Sequence, residues 1–363
     1  MVAPEHPPDR RGPRSSRRAG LLVAAILLAG VLAYALSRLG LHRIGHALIT
    51  ASPGWVALAF VLMALSLLLR SASWHQTLRA ALPQTPMGVA AVARATMIGV
   101  MASAVFPARL GEPSRVLVLT RRLHGPSGRL LPVVAGTVFS QTLINLLALA
   151  ILAAVTFSSV PIFQGHLTGV LAAGAVPLTL CALVLAGPRL LALGRRSRSP
   201  RVVLAANAIE RLLRLARRGL VVFARPRHGA LAISSQLLAW VLQWLACYMV
   251  VLALGLQSQA GLVTAAAILL AVNVSAVIPA TPSNVGVFQA ACVVVLAAYG
   301  VGAESGLAYG IILQAVEVLT ALALGIPALL SEGLTWRDIR PRGRSGGAAS
   351  LESSEELSRE RPQ

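Results

Sequence analysis

Ser103-Ala-Val-Phe-Pro-Ala108 and Ser275-Ala-Val-Ile-Pro-Ala280 agree at five of six positions across an offset of 172 residues. Each hexapeptide sits where an apolar region is interrupted. The first region, 87–120, is broken by Pro107, Gly111 and Pro113 and carries Arg94, Arg109, Glu112 and Arg115. The second, 262–299, is broken by Pro279, Pro282 and Gly286. Proline removes a backbone donor and clashes inside a helix, so each region is predicted to form two half-helices with a bend between them. The spans that follow also align after a one-residue slip: Gln141 matches Gln314, and Ala148-Leu-Ala150 matches Ala321-Leu-Ala323.

The rest of the chain fits this repeat into a membrane. Of 363 residues, 56% are hydrophobic and only 12% charged, against about 25% charged in a soluble domain. A soluble globule of this length could not cover its surface. Uninterrupted apolar runs long enough to cross a hydrocarbon layer of roughly 30 Å as helices occur at 20–39, 53–69, 130–157, 167–186, 230–254 and 306–330. The expected fold is an all-α polytopic membrane protein with about six transmembrane helices and two opposed re-entrant helical hairpins in an inverted repeat. Its transmembrane domain is expected over 20–332, between polar tails at 1–19 and 333–363 that are expected to be disordered. The arginines before the first span and Ala33-Tyr34-Ala35 behind it also resemble a cleavable signal, but the many spans downstream favour an uncleaved anchor.

The formal charge of +20 comes from arginine, because the chain has no lysine among its 32 basic residues. The arginines flank apolar runs and do not form one basic face, which argues against nucleic-acid binding. With the N-terminus in the cytoplasm and both broken regions re-entrant, 27 of the 32 arginines fall on the cytoplasmic side, Arg70 and Arg79 among them. That bias fixes both termini inside and puts the protein in the cytoplasmic membrane. Segment 188–229 holds 11 of these arginines. Leu204, Ile209, Leu212, Leu213 and Leu220 fall on one side of a helix there, which suits either an interfacial helix or a solvated connector.

Cys181, Cys247 and Cys292 stand singly in apolar runs and read as small buried hydrophobes. His42 and His46 lack further ligands nearby, so no metal site is expected. No cofactor is implied, and no catalytic dyad or nucleophile–base pair stands out, so an enzyme is not expected.

The chemistry concentrates at the breaks. Pro113 suits the first position of a second half-helix, and its counterpart is expected to begin near Pro282, Ser283 and Asn284, where Ser or Asn can cap. Two half-helix N-termini facing one cavity beside Arg109 and Arg115 would bind an anion. Ionisable groups at membrane depth cost on the order of 2.5–3.5 kcal/mol each, so the cluster of Arg109, Glu112 and Arg115 needs a reason. It is either an ion-pair cluster pinning the hairpin or a site whose surplus positive charge takes a lipid phosphate. Glu317 is the other deep acid, and Gln141 and Asn145 lie four apart on one helix face.

At these residues the sequence resembles the membrane-domain, flippase-like family of lysylphosphatidylglycerol synthases. The likeness rests on a P-x-R-x-G-E-x-x-R pattern at Pro107, Arg109, Gly111, Glu112 and Arg115. A second break carries it too, at Pro279, Pro282, Ser283, Gly286 and Gln289, and it extends over about 20–332. Gln289 stands where the family often has Glu, Ser103 where Asn is common, and Gln141 and Asn145 where acids are frequent. The soluble aminoacyl-transferring domain is absent from this sequence. The resemblance therefore implies transbilayer movement of an anionic lipid or lipid-linked headgroup. Arg109, Arg115, Ser283 and Asn284 would hold the phosphate, supported by Pro107, Gly111, Glu112, Pro279, Gly286, Gln289, Glu317, Gln141 and Asn145. The alternative is an accessory that binds polyprenyl-phosphate-linked sugars for a membrane glycosyltransferase or lipid synthase partner, and an intramembrane lipid-modifying enzyme comes third.

Overall fold

The computed structural model describes residues 49–105, 111–123, 127–159, 220–276 and 284–332. Among them are eight α-helices and no strand: α1 (Pro53–Ala81), α2 (Val89–Val105), α3 (Gly111–Arg122), α4 (Ser127–Ser159), α5 (Pro226–Ala253), α6 (Leu262–Ser275), α7 (Val287–Ala297) and α8 (Ala303–Ser331), with a 3₁₀ turn at Leu220–Ala224 before α5. Four of them, α1, α4, α5 and α8, are long and apolar enough to cross a membrane. The expected spans at 20–39 and 167–186, and the interfacial helix before Leu220, lie outside the described residues, as do Cys181, His42 and His46.

The solvent-accessible faces of the long helices are apolar. Leu58, Val61, Leu65 and Leu68 form an exposed stripe on α1, and Leu319, Ile326 and Leu330 one on α8. A helix that is apolar outside as well as inside belongs in lipid, not in water.

α1 and α5 form the central seam and run antiparallel. The Ser52 N–H donates to the Ala253 carbonyl at 2.8 Å, Gln243 Nε2 reaches Met63 Sδ at 3.6 Å, and the Ser73 hydroxyl donates to the Ala232 carbonyl at 2.8 Å. Around this seam the packing partners come in matching sets. α2 packs on α8 as α6 packs on α4; α3 on α4 as α7 on α8; α2 on α3 as α6 on α7; α1 on α2 as α5 on α6. One buried core gathers the far end of α1 with α2, α3, α4 and the end of α8, and another gathers α5, α6, α7 and α8 with the first half of α1 and Ala148 of α4.

Both breaks fall where the prolines predict. α2 stops at Val105 and α3 starts at Gly111; α6 stops at Ser275 and α7 starts at Val287. Three boundaries differ from expectation. α3 begins two residues before Pro113, so the proline occupies the third helical position, where a missing N–H still costs nothing because the first turn has no intrahelical acceptor. α7 begins after Ser283 and Asn284, because Asn284 (φ 53°) and Gly286 (φ 89°) turn the chain through the left-handed region first. α5 begins at Pro226, so the end of segment 188–229 already belongs to that helix.

α2 and α3 form a tight antiparallel pair. A Cβ on Gly111 would collide with the Gly99 carbonyl and the Ser103 hydroxyl, and one on Gly99 would stand 3.0 Å from Arg115 Cβ. At the other end of the pair, Glu332 ties Arg94 of α2 (2.7 Å) and Arg122 of α3 to the end of α8.

Candidate functional site

Arg115 projects from α3 into the bundle, where Nη1 donates to Gln141 Oε1 on α4 at 2.7 Å. Its guanidinium lies 5.0 Å from the centroid of the Trp74 ring on α1. Gln141 is fixed in turn, its Nε2 donating to the Arg70 carbonyl at 3.0 Å. Such an arrangement holds a cation by stacking and one hydrogen bond, leaving the rest of its donor fork free.

Arg70 repeats that arrangement. Its Nη2 donates to Gln243 Oε1 on α5 at 2.7 Å, and its guanidinium lies 5.9 Å from the centroid of the Trp240 ring. Arg70 Nε and Arg115 Nε are both buried without a hydrogen-bond partner. Arg70, expected from the sequence in the cytoplasmic segment after the second span, instead lies within that helix. α1 continues to Ala81, which leaves Arg70 well inside the helix. The polar residues after it are satisfied within the bundle: Trp74 Nε1 donates to Thr137 Oγ1 at 3.1 Å, and the Ser73 hydroxyl donates to α5.

Both arginines line one cavity of about 240 Å³, together with Glu112, Gln141, Asn145 and Gln236. Asn145 Oδ1 accepts from Gln236 Nε2 and from Trp240 Nε1, each at 2.9 Å. Gln236 Oε1 is buried and unpartnered. Glu112 sits at the rim, its side chain 58% exposed and 3.9 Å from Arg115, too far for a hydrogen bond. The cavity therefore offers two cationic forks with unused donors and one unused acceptor.

A second cavity of about 270 Å³ adjoins the first, and Val100 and Asn273 line both. Glu317, Gln314 and Asn284 face the second only. Gln289, at the third position of α7, accepts from the Gly286 N–H at 2.7 Å and donates to Gln314 Oε1 at 2.5 Å. It is the neutral counterpart of Arg115 on Gln141: a side chain from the start of a short helix bonding the matching glutamine of the next long one.

The sequence-derived residues thus divide. Arg115, Glu112, Gln141 and Asn145 meet at the arginine cavity. Asn284 and Glu317 line the other, with Gln289 behind it bonding to Gln314, so the two half-helix N-termini face adjoining cavities instead of one. Gly111 permits the α2–α3 approach, and Gly286 turns the chain into α7. Arg94 bonds to Glu332 and takes no part in either cavity. Pro107, Arg109, Pro279 and Ser283 lie outside the described residues. Arg70, Gln236, Gln243, Trp74 and Trp240 are additions that the sequence reading missed. Their signal was an arginine only seventeen residues into an apolar helix with an indole four positions on.

No curated protein matches the chain significantly. The family model described as Lysylphosphatidylglycerol synthase TM region matches residues 19–325, nearly the whole apolar part of the sequence, and the chain belongs to that family.

Proposed function

We propose that this protein carries an anionic lipid, or a lipid-linked headgroup, from one leaflet of the membrane to the other. The observation that carries the reading is the pair Arg70 and Arg115, two guanidinium groups deep in an apolar bundle, each with an unpartnered Nε at one cavity. A phosphate accepts from several arginine donors at once and is the ligand such forks suit. Arg115 has only the exposed Glu112 carboxylate near it, at 3.9 Å, and weakly compensated cations at membrane depth are expensive, so a ligand that supplies an anion fits the site. The unpartnered Gln236 Oε1 suits a headgroup hydroxyl. The cavity is smaller than the roughly 300–1,000 Å³ that encloses a drug-sized molecule. It takes a headgroup and leaves the acyl chains in lipid.

The architecture supports movement. At about 1.5 Å per residue, α6 and α7 reach about 21 Å and 16 Å, short of a hydrocarbon core of roughly 30 Å. They and the α2–α3 pair are re-entrant hairpins in this reading. The matching packing sets, with α1 and α5 antiparallel as the equivalent members, support two halves inverted relative to each other. Inverted halves with interrupted segments at the midplane can rock around a fixed site.

The test is a leaflet assay. Proteoliposomes carrying fluorescent phosphatidylglycerol are exposed to a membrane-impermeant quencher. The protein should make the inner-leaflet fraction accessible, and Arg70→Gln and Arg115→Gln should each slow this at least about tenfold while remaining monodisperse. Binding without movement would instead support an accessory that holds a polyprenyl-phosphate-linked sugar for a glycosyltransferase. Neither binding nor movement would overturn both readings.

A further inference from the structure

The second cavity has the opposite sign to the first. Its one charged side chain is Glu317, which among the described residues makes no hydrogen bond and no ion pair within 4.0 Å. Asn273 Nδ2 is tied back to the Leu269 carbonyl at 2.8 Å, so the oxygen of that amide is the atom left to the cavities. Arg70 of α1 acts electrostatically on Glu317, and Glu317 in turn acts on Cys247 of α5, Cys292 of α7 and Tyr309 of α8. None neutralises it by contact: Arg70 is engaged with Gln243, the two thiols are buried, and the Tyr309 hydroxyl donates to the Cys247 carbonyl at 2.8 Å.

A carboxylate in a part-open cavity whose other polar side chains include the amides of Asn273, Asn284 and Gln314 favours a hard cation held by oxygen. A single negative charge balances a single positive one. Among the described residues no group of three His, Cys, Asp or Glu side chains is gathered, which leaves little for a divalent metal. Arg70 lies within electrostatic reach of both Glu317 and Arg115, so the two cavities share one field. An anion at the arginines cancels the positive potential that helps Glu317 stay charged, and a cation at Glu317 then becomes more favourable.

We propose that the Glu317 cavity is a site for a small monovalent cation, an alkali ion or a proton, and that anion binding at Arg70 and Arg115 strengthens its occupation. The cation site stands on its own geometry; the coupling rests on the phosphate reading of the arginine cavity. Coupling is reciprocal, so the cation strengthens anion binding by the same factor.

The experiment uses the full chain in nanodiscs of phosphatidylcholine, with and without phosphatidylglycerol. Radioactive sodium displaced by excess unlabelled sodium reads an alkali ion, and a pH-indicator dye reads proton uptake. One of the two should bind to the unaltered protein and be lost at least about tenfold in Glu317→Gln. Asn273→Ala, which keeps the carboxylate, should weaken binding severalfold and serves if Glu317→Gln does not fold. Phosphatidylglycerol should raise the cation affinity about fivefold or more, within the usual range of coupling between sites, and Arg70→Gln should abolish that rise. No cation bound, or unchanged binding in Glu317→Gln, overturns the site. Glu317-dependent binding indifferent to phosphatidylglycerol overturns the coupling. Lipid movement that persists without Glu317-dependent cation binding overturns this proposal and spares the transport reading. Cation binding without any lipid binding does the reverse.

Discussion

Arg70 and Arg115 are held by the same device, a glutamine carbonyl on one side and an indole face on the other. The device depends on a flat, delocalised cation. A lysine ammonium at either position keeps the charge but loses the stacked plane and the Nε donor. Arg115→Lys is therefore expected to weaken phosphatidylglycerol binding by roughly tenfold, equivalent to about 1.4 kcal/mol, while the thermal midpoint changes little. A binding titration beside a melting curve separates the two, and full affinity in Arg115→Lys would mean the guanidinium geometry is not used. Arg115 is legible in the sequence because it stands beside Pro113 and Glu112. Arg70 is not, because Ser71, Ser73, His75, Gln76 and Thr77 after it look like the polar end of a span. Their polarity is absorbed inside the fold: Ser71 and Thr77 bond back to carbonyls of α1, and Ser73 bonds to α5. The Met87 carbonyl before α2 lies 3.2 Å from His75 Nε2, and Gln76 Oε1 lies 2.9 Å from His228 Nδ1 of α5. Periodicity along one helix carries no record of such partners.

The α2–α3 pair depends on backbone approaching backbone at Gly99 and Gly111. Gly111→Ala places a methyl against the Gly99 carbonyl and Ser103. Overpacking of this kind costs about 1–3 kcal/mol, so a clear fall in melting temperature is expected together with a displaced Arg115 and weaker lipid binding. Gly88→Ala, with open space around it, should do neither; equal effects at both positions would refute the close approach as the cause. At the other end of the pair, Glu332 is 3% exposed and holds Arg94 and Arg122 at once, the arginines themselves being 32% and 39% exposed. Breaking a fully buried pair costs roughly 3–5 kcal/mol and an exposed one under about 1 kcal/mol. Glu332→Gln is expected between these limits, at about 1–2 kcal/mol, read as a lower thermal midpoint. The prolines announced where both helical pairs break, but not where α7 starts or what clasps α2 to α3. Those depend on left-handed turns at Asn284 and Gly286, and on a contact spanning more than two hundred residues of chain.

At the scale of the whole molecule, the described helices have two ends of different charge. Chain direction along the antiparallel α1–α5 seam puts the end of α1, the start of α2, the end of α3 and the start of α5 at one end. α8 finishes there too, through Glu332. That end carries Arg79, Arg121, Arg122, Arg225 and Arg227. The opposite end, with the start of α1, the end of α5 and the turn 254–261, has no arginine among its described residues. Moving Arg70 into the bundle removes one charge from the arginine-rich end without altering the asymmetry between the two ends. An excess of arginine marks the cytoplasmic side. Arg227 and Ser258 are exposed at opposite ends, so single cysteines at these positions should label differently in intact cells. Ser258→Cys should react with a membrane-impermeant maleimide added outside, and Arg227→Cys only after the membrane is opened. Cys247 and Cys292 are buried and should give little background. Labelling of Arg227→Cys from outside would invert the orientation, and labelling of both from outside would break the bundle's assignment to a membrane.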